Sequence, residues 1–407
     1  MQRYSKFLLV LVLILAFVVP LTASGQDDGD DPQIGFWEEC PDPENLSGDV
    51  VVGVIFSQST TLAQYGVPQT NGVQLALDEI NESGYLGDAE LVFVIEDGYD
   101  TDSAVAAMTK LVEQDGVVAV IGPTLSTQAF AADQIAAAEG IPVMGVSNTA
   151  GGITTMADDD DVNQFIFRDS LPESSVIPGT LALAVDTLGI ESVSILYGDD
   201  DDFTLSGYEV FADSLIELDV EVLSEETFGL EDVDFIPQLT NILSEDPDAI
   251  VVSALIGEAV QIVTQARQLG YDGPIIGGNG FNSASLITDA GDAANGVIVG
   301  AAWNIIGDAP LNAIFIENYN EAYDLAPDQF ATQAYTGAWL MATAIRCADS
   351  GDSADIRDAL AGIEEFDSPL GLYSFDEDRN PVHPPVVQIV TDGAFSVFNE
   401  DFADFFE

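Results

Sequence analysis

Short loops rich in hydroxyl side chains follow two successive apolar runs of this sequence. Ser126 and Thr127 follow the first run, and Ser147 and Thr149 follow the second. Hydroxyls of this kind can hold an anionic group when a helix with free backbone amides begins beside them. Ordinary helix capping explains any one such loop. The prediction of a ligand site therefore depends on several of these loops lying at one edge of the fold.

Catalytic chemistry is hard to assemble from the residues present. The only histidine is His383, which removes most acid–base and triad schemes. No nucleophile elbow, dinucleotide fingerprint or P-loop occurs. The aspartate runs 158–161 and 199–202 lack the spacing of a calcium loop, so solvated loops are expected and weak Ca²⁺ binding is the alternative. We predict no enzyme, no cofactor and no metal site; a secreted α/β hydrolase is the competing hypothesis.

The charge balance restricts the partners. Of 407 residues, 8 are Lys or Arg and 71 are Asp or Glu, which gives a formal net charge of -63. Such a chain repels nucleic acid and anionic lipid. The acid excess is typical of a halophilic protein with a solvated surface, where salt screens the self-repulsion. Since 47% of residues are hydrophobic, folded cores are expected all the same.

The N-terminus has the pattern of a targeting segment. Arg3 and Lys6 precede an apolar run over 7–19, and small residues follow it. We predict a signal peptide over 1–25 and an acidic linker over 26–48, with an uncleaved membrane anchor as the alternative. The protein is thus expected to be exported, either periplasmic or extracellular and associated with the cell surface. In such a compartment, Cys40 and Cys347 form either one disulfide or two buried thiols.

From residue 49 onward, apolar β-branched runs alternate with amphipathic helical stretches. The pattern runs from Val50 to Val146 and begins again at Ser192. Runs this apolar are covered on both faces, which indicates an α/β fold with parallel sheets in two units. Because late strands must complete sheets begun earlier, each lobe is expected to be discontinuous in sequence.

Several local motifs resemble the leucine/isoleucine/valine-binding family of type I periplasmic binding proteins. The resemblance covers residues 49–398 and rests on VGVI with AQYG, ALDEINESG, VIGP followed by ST, GIPV, FR, GGNGF, and SPLG leading to FD. It implies two Rossmann-like lobes joined by a three-segment hinge. The lobes would comprise 49–168 with 302–372, and 169–301 with 373–403.

The resemblance also implies a ligand site between the lobes. Residues matching family positions that face the ligand are Tyr65, Ser126, Thr127, Ser147, Thr149, Glu173, Phe203, Asn279 and Phe330. Tyr65 matches an aromatic of the first loop, Ser126 and Thr127 match a carboxylate-binding helix start, and Asn279 stands where amino-acid binders of the family usually place an acid. An amide carries no charge for a ligand ammonium, so Glu173 is the expected substitute. Arg168 is expected to form a structural ion pair.

The resemblance implies the solute-binding subunit of an ABC importer that binds a branched-chain or other small amino acid, or a related amide or short carboxylate. The permease and the ATPase would be separate chains, and a monomer without nucleic-acid partners is expected. A ligand-sensing module of the same fold, acting with a receptor or regulator, is the alternative. Only six basic residues remain after Lys6, which favours a zwitterionic, neutral or monoanionic ligand.

Overall fold

A computed structural model describes residues 33–230 and 232–406. The predicted signal peptide and the first part of the predicted linker lie outside the described residues. Ile34–Glu407 form one compact unit. This unit contains the strands and helices of the described residues.

The strands and helices alternate through most of this unit. The strands are β1 (Gly48–Phe56), β2 (Ala89–Asp97), β3 (Ala119–Ile121), β4 (Val143–Gly145), β5 (Ile166–Arg168), β6 (Ser192–Gly198), β7 (Glu221–Phe228), β8 (Ala249–Ser253), β9 (Ile275–Gly277), β10 (Val297–Ala301), β11 (Phe366–Ser368), β12 (Gly371–Phe375), β13 (Pro381–Val382), β14 (Val386–Thr391) and β15 (Ala394–Val397). The α-helices are α1 (Ala63–Ser83), α2 (Thr101–Lys110), α3 (Ser126–Ala138), α4 (Asp160–Asn163), α5 (Glu173–Leu188), α6 (Asp202–Glu217), α7 (Ile236–Ser244), α8 (Ile256–Gln268), α9 (Ala284–Ala290), α10 (Pro310–Tyr323), α11 (Gln329–Ala348) and α12 (Ser353–Ala361).

The first lobe is built on a parallel five-stranded sheet in the order β2-β1-β3-β4-β5. Both of its faces are covered. Val52, Val54 and Phe56 pack on one face with α1 and α11, while Ile55 packs on the other with α2 and α3. Burial on both sides explains why these strands read as continuous apolar runs.

The second lobe is built on a seven-stranded sheet in the order β15-β14-β10-β9-β8-β6-β7. The strands from β6 to β10 are parallel, whereas β14 pairs antiparallel with β10 and β15 antiparallel with β14. Ile250 and Val252 belong to the core on one face, and Val251 belongs to the core on the other. The α/β fold with two parallel-sheet lobes that the sequence predicted is therefore confirmed.

The chain passes between the lobes at three places: after β5, after β10, and between β13 and β14. The predicted division into lobes at numbered boundaries stays a prediction. The strand β12 spans the predicted boundary at 372/373, and its Tyr373 packs in the core of the first lobe and donates a hydrogen bond to the carbonyl of Arg168 (3.0 Å).

A disulfide joins Cys40 to Cys347, with the Cα atoms 4.9 Å apart. The neighbouring Arg346 is buried and donates hydrogen bonds to the carbonyls of Cys40 and Tyr85. Its guanidinium also lies over the rings of Trp37 and Tyr85, with centroids at 5.1 and 4.7 Å. The segment that precedes β1 is thus fixed covalently and by hydrogen bonds to the end of α11.

Candidate ligand-binding cleft

The loops at the carboxyl ends of β1, β3 and β4 meet around one buried side chain, Gln69 of α1. Its Nε2 donates to the hydroxyl of Ser147 (2.8 Å), and its Oε1 accepts from the hydroxyl of Thr124 (2.7 Å). The Thr124 hydroxyl also accepts from the backbone amide of Ser57 (3.0 Å). Gln69 therefore holds three strand-end loops in register. Nothing in its sequence context distinguished it from an ordinary helical glutamine.

The helix α3 begins at Ser126 beside these loops. The Ser126 hydroxyl accepts from the backbone amide of Ala150 (3.2 Å), and the side chain of Gln128 accepts from the amide of Leu125 (3.0 Å). Amides in the first turn of a helix have no partner within the helix and carry partial positive charge. This end of α3 can hold a carboxylate without a cationic side chain.

Six of the nine predicted site residues surround a single cavity between the two sheets. Its volume is about 20 Å³, roughly the space of one water molecule. The cavity is lined by Tyr65, Thr124, Leu125, Ser126, Ser147, Phe203, Leu255, Asn279, Gly280 and Phe330. All of these residues are uncharged.

Tyr65 connects the two lobes across this cavity. It lies in the first turn of α1, which starts at Ala63. Tyr65 is therefore helical, contrary to the expectation that it belongs to the first loop. Its hydroxyl donates to the carbonyl of Gly280 (2.9 Å) and accepts from the amide of Ile256 (2.6 Å). Its ring lies 4.5 Å from that of Phe330. The aromatic side of the cavity is thus tied to the backbone of the second lobe.

Thr127 makes a second connection between the lobes. Its hydroxyl donates to Oδ2 of Asp201 (2.6 Å) and accepts from the backbone amide of Asp202 (3.0 Å). It lines a neighbouring cavity of about 400 Å³ between the lobes, not the small cavity beside Ser126. Of the predicted serine–threonine pair, only Ser126 has its side chain at the small cavity.

Thr149 and Glu173 are buried next to this cavity without lining it. The Glu173 amide donates to the carbonyl of Thr149 (2.9 Å), and the Glu173 Oε1 accepts from the backbone amide of Asn279 (3.1 Å). Burial raises the pKa of Glu173 to about 7, although hydrogen bonds from Asn279 and Thr149 and the charge of Arg168 lower it. Glu173 therefore supports the Asn279 loop from behind.

Arg168 organises the loop that carries Ser147 and Thr149. The expectation of an ion pair is wrong: no carboxylate in the described residues lies within 4.0 Å of its guanidinium. Its Nη1 donates to the carbonyls of Asn148 (2.7 Å) and Ala150 (2.8 Å), and its Nε donates to Oδ1 of Asn380 (2.7 Å). Because a buried guanidinium needs hydrogen-bond acceptors, Arg168 fixes this loop against the segment between β12 and β13, which contains Asn380.

No group of metal-ligating side chains occurs in the part of the chain that the structure describes. None of its helices has the length and hydropathy of a membrane-spanning segment. His383 is buried away from the cavity, in the segment before β14, and burial lowers its pKa to about 4. The arrangement is one of donors, acceptors and aromatic rings suited to holding a small molecule.

Comparison with known proteins gives consistent results. A family model described as periplasmic binding protein matches residues 49–394. The leucine-, isoleucine-, valine-, threonine- and alanine-binding protein of Pseudomonas aeruginosa is 25% identical over 317 residues, which cover 78% of this chain and 83% of that protein.

Solved structures share the fold. The branched-chain amino acid transporter substrate binding protein LivJ of Streptococcus pneumoniae, in complex with isoleucine, superimposes with a TM-score of 0.80 at 30% identity, covering 86% of this chain and 99% of that one. A solute binding protein of an ABC transporter from R. palustris, in complex with benzoate, gives a TM-score of 0.78 at 24% identity, covering 86% and 96%. At that identity the likeness concerns the fold alone.

Proposed function

The chain belongs to the periplasmic binding protein family, and on that premise we propose that it is the extracytoplasmic solute-binding subunit of an ABC importer. Its relatives are solute-binding proteins and not enzymes. The ligand is a small amino acid or a related amide or short carboxylate, held between the two lobes. The protein acts as an exported monomer that delivers this ligand to a separate permease with its own ATPase subunits.

One observation carries the proposal: an uncharged cavity lies where the carboxyl ends of the strands of both sheets face each other. Ligands of open parallel sheets bind at this edge. The first lobe supplies the start of α3 and Ser126, and the second supplies Phe203, Leu255 and Asn279. A polar rim on one lobe and a mostly apolar wall on the other suit a small molecule with one charged end and one apolar end.

The size of the cavity supports a hinge mechanism. Its volume of about 20 Å³ is far too small for an amino acid, so a ligand enters only when the lobes separate. The contacts of Tyr65 with Gly280 and Ile256, and of Thr127 with Asp201, would break on opening. On closure around a ligand, Thr127 and Asp201, which lie outside the small cavity, would meet again, while the space beside Tyr65 would stay wider than it is here. Such closure around a ligand is the hinge motion typical of two-lobed binding proteins.

The charge of the ligand is limited by the absence of cations. No Lys or Arg lines the small cavity. A dianion would therefore meet only the amides of α3 and neutral side chains, in a chain of net charge -63. A zwitterion, a neutral molecule or a monoanion suits the cavity better.

The test is a thermal-shift screen of amino acids, amides, short carboxylates and aromatic acids, followed by calorimetry of the compounds that raise the melting temperature. A true ligand stabilises the folded state as its concentration exceeds the dissociation constant. Ser126→Ala should weaken binding at least tenfold and lower the melting temperature of the ligand-free protein by no more than a few degrees, the cost of leaving the Ala150 amide unpaired. Tight binding of a dicarboxylate or phosphate, with no binding of any amino acid or monocarboxylate, would refute the proposal.

A further inference from the structure

The orientation of the Asn279 side-chain amide is fixed by its neighbour Gln329. The backbone amide of Ala302 donates to Oε1 of Gln329 (2.7 Å). A backbone amide can only donate, so the oxygen of Gln329 must face it and the nitrogen must face away. That nitrogen, Nε2, donates to Oδ1 of Asn279 (2.7 Å).

A second chain of amides leads to the same orientation. Asn282 donates through Nδ2 to the carbonyl of Gly300 (2.9 Å), and the same nitrogen lies 3.4 Å from Oδ1 of Asn279. A carbonyl can only accept, so the nitrogen of Asn282 is fixed at this position. Gln388 then donates to Oδ1 of Asn282 (2.8 Å). Both chains of hydrogen bonds thus direct donors at the oxygen of Asn279.

The oxygen of Asn279 is therefore engaged on the protein side, and the Nδ2 group is left for the cavity. Asn279 lines the small cavity, and no acceptor in the described residues takes a hydrogen bond from this nitrogen. Asn279 therefore presents the two N–H donors of its Nδ2 group to a ligand, and not the acceptor that a ligand ammonium would need.

The rest of the cavity gives an ammonium no charged partner either. Glu173 is buried outside the cavity lining and accepts from the Asn279 backbone amide. The carboxylates of Asp201 and Glu258 line the neighbouring cavity and not this one. An ammonium without an anionic partner would lose its hydration for little return.

We propose that the ligand is a monocarboxylate with a 2-oxo or 2-hydroxy group in place of the α-ammonium. This inference rests on the proposed function. The carboxylate lies at the start of α3 beside Ser126, the oxygen on C2 accepts from Nδ2 of Asn279, and the apolar chain packs against Tyr65, Phe203 and Phe330. Asn279 determines the specificity, and Gln329 positions it.

Calorimetry on matched ligands tests the proposal. The first series comprises L-leucine, 4-methyl-2-oxopentanoate, 2-hydroxy-4-methylpentanoate and 4-methylpentanoate; the second has the carbon skeleton of phenylalanine. In at least one series the oxo or hydroxy acid should bind at least tenfold more tightly than both the amino acid and the unsubstituted acid. Tighter binding of the amino acid overturns this inference alone. No binding by any member also overturns it, and the proposed function falls with it only if the full thermal-shift screen finds no ligand either.

Two isosteric variants test the mechanism. In Gln329→Glu the new carboxylate accepts from Ala302 and also requires a donor from Asn279, so the Asn279 amide turns its oxygen toward the cavity. The affinity ratio of amino acid to oxo acid should rise at least tenfold. Asn279→Asp, which places an acceptor at the cavity directly, should shift the ratio in the same direction.

Gln238→Glu is the matched control, because it adds the same charge on α7, away from the cavity. Its ratio should equal that of the wild type. A purely structural role of Gln329 would weaken all ligands equally. An unchanged ratio in a folded Gln329→Glu protein, or in Asn279→Asp if the first does not fold, would contradict the assignment.

Discussion

The hydroxyl of Thr127 provides the sharpest test of the closing contacts between the lobes. Thr127→Val keeps the shape of the side chain and removes two hydrogen bonds, one to Oδ2 of Asp201 (2.6 Å) and one from the amide of Asp202 (3.0 Å). A hydrogen bond to a charged group contributes about 1.5–3 kcal/mol and a neutral one about 0.5–1.5 kcal/mol. The closed form should therefore lose about 2–4 kcal/mol relative to the open form, in which water satisfies the same groups.

A loss of about 2 kcal/mol corresponds to roughly 30-fold weaker binding. We therefore expect Thr127→Val to raise the dissociation constant of the tightest ligand by at least that factor in calorimetry. The melting temperature of the ligand-free protein should change little, because Thr127 contributes to closure and not to the core of either lobe. Thr127→Ser retains the hydroxyl and should bind like the wild type.

Thr240→Val is the control for the loss of a helical threonine hydroxyl, since Thr240 is exposed on α7 and bonds only the carbonyl of Ile236 in its own helix. Its affinity should be unchanged. If Thr127→Val bound within about twofold of the wild type, or lowered the ligand-free melting temperature in proportion to its loss of affinity, the reasoning would be wrong. Thr127 would then stabilise the fold and not the closed cleft.

Burial, the disulfide and the net charge each lead to a further prediction. Burial raises the pKa of Glu173 from 4.5 to about 7, so the folded wild-type protein loses stability as the pH rises through this range. In denaturant titrations, Glu173→Gln should be more stable than the wild type by up to about 3 kcal/mol at pH 8 and by much less at pH 5. An equal gain at both pH values would refute this. Cys40→Ser with Cys347→Ser opens a link over 307 residues and should cost about 2–5 kcal/mol of unfolding free energy. Affinity should not change, because Cys347 lies at the opposite end of α11 from Phe330, which lines the cavity; a weaker affinity would contradict this. Lowering salt should lower the melting temperature through acidic self-repulsion, and a salt-independent melting curve would oppose the halophilic interpretation.

The alternation of strands and helices was predictable because both sheets are covered on both faces. Buried parallel strands such as β1 and β8 have apolar side chains on both sides, so each is a short continuous apolar run in the sequence. The start of α1 was less predictable. The helix begins before Pro68, shortly after the polar segment 57–61, and the side-chain bonds that would mark a cap are absent at Leu62.

The residues that line the cavity could be predicted from the sequence where they follow the end of a strand. Ser126, Ser147 and Asn279 each come shortly after the end of a strand, and the carboxyl ends of parallel strands lie at one edge. The roles of Gln69 and Gln329 were not predictable. Each acts through partners far along the chain, Thr124 for Gln69 and Asn279 for Gln329, and helical glutamines carry no local signal of such contacts.

The same limit explains the revised role of Asn279. From the sequence, an amide can offer either a donor or an acceptor, so a role for Asn279 toward an ammonium remained open. The choice depends on which partner holds the other half of the amide. Here that partner is Gln329, fixed in turn by the backbone of Ala302, and only the folded chain brings these three groups together.

Neutral donors in the cavity are a consistent solution for a chain with a net charge of -63. The many surface carboxylates repel an anion over a distance, but this repulsion falls off within about 3 Å at 1 M salt. The amides of α3, the hydroxyl of Ser126 and Nδ2 of Asn279 act at contact distance, where salt screens little. A cationic side chain in the same place would be drawn into ion pairs with the surplus carboxylates, as Lys110 is with Glu96 and Asp115. A site made of dipoles therefore remains available to a monoanion under the salt conditions that stabilise the fold.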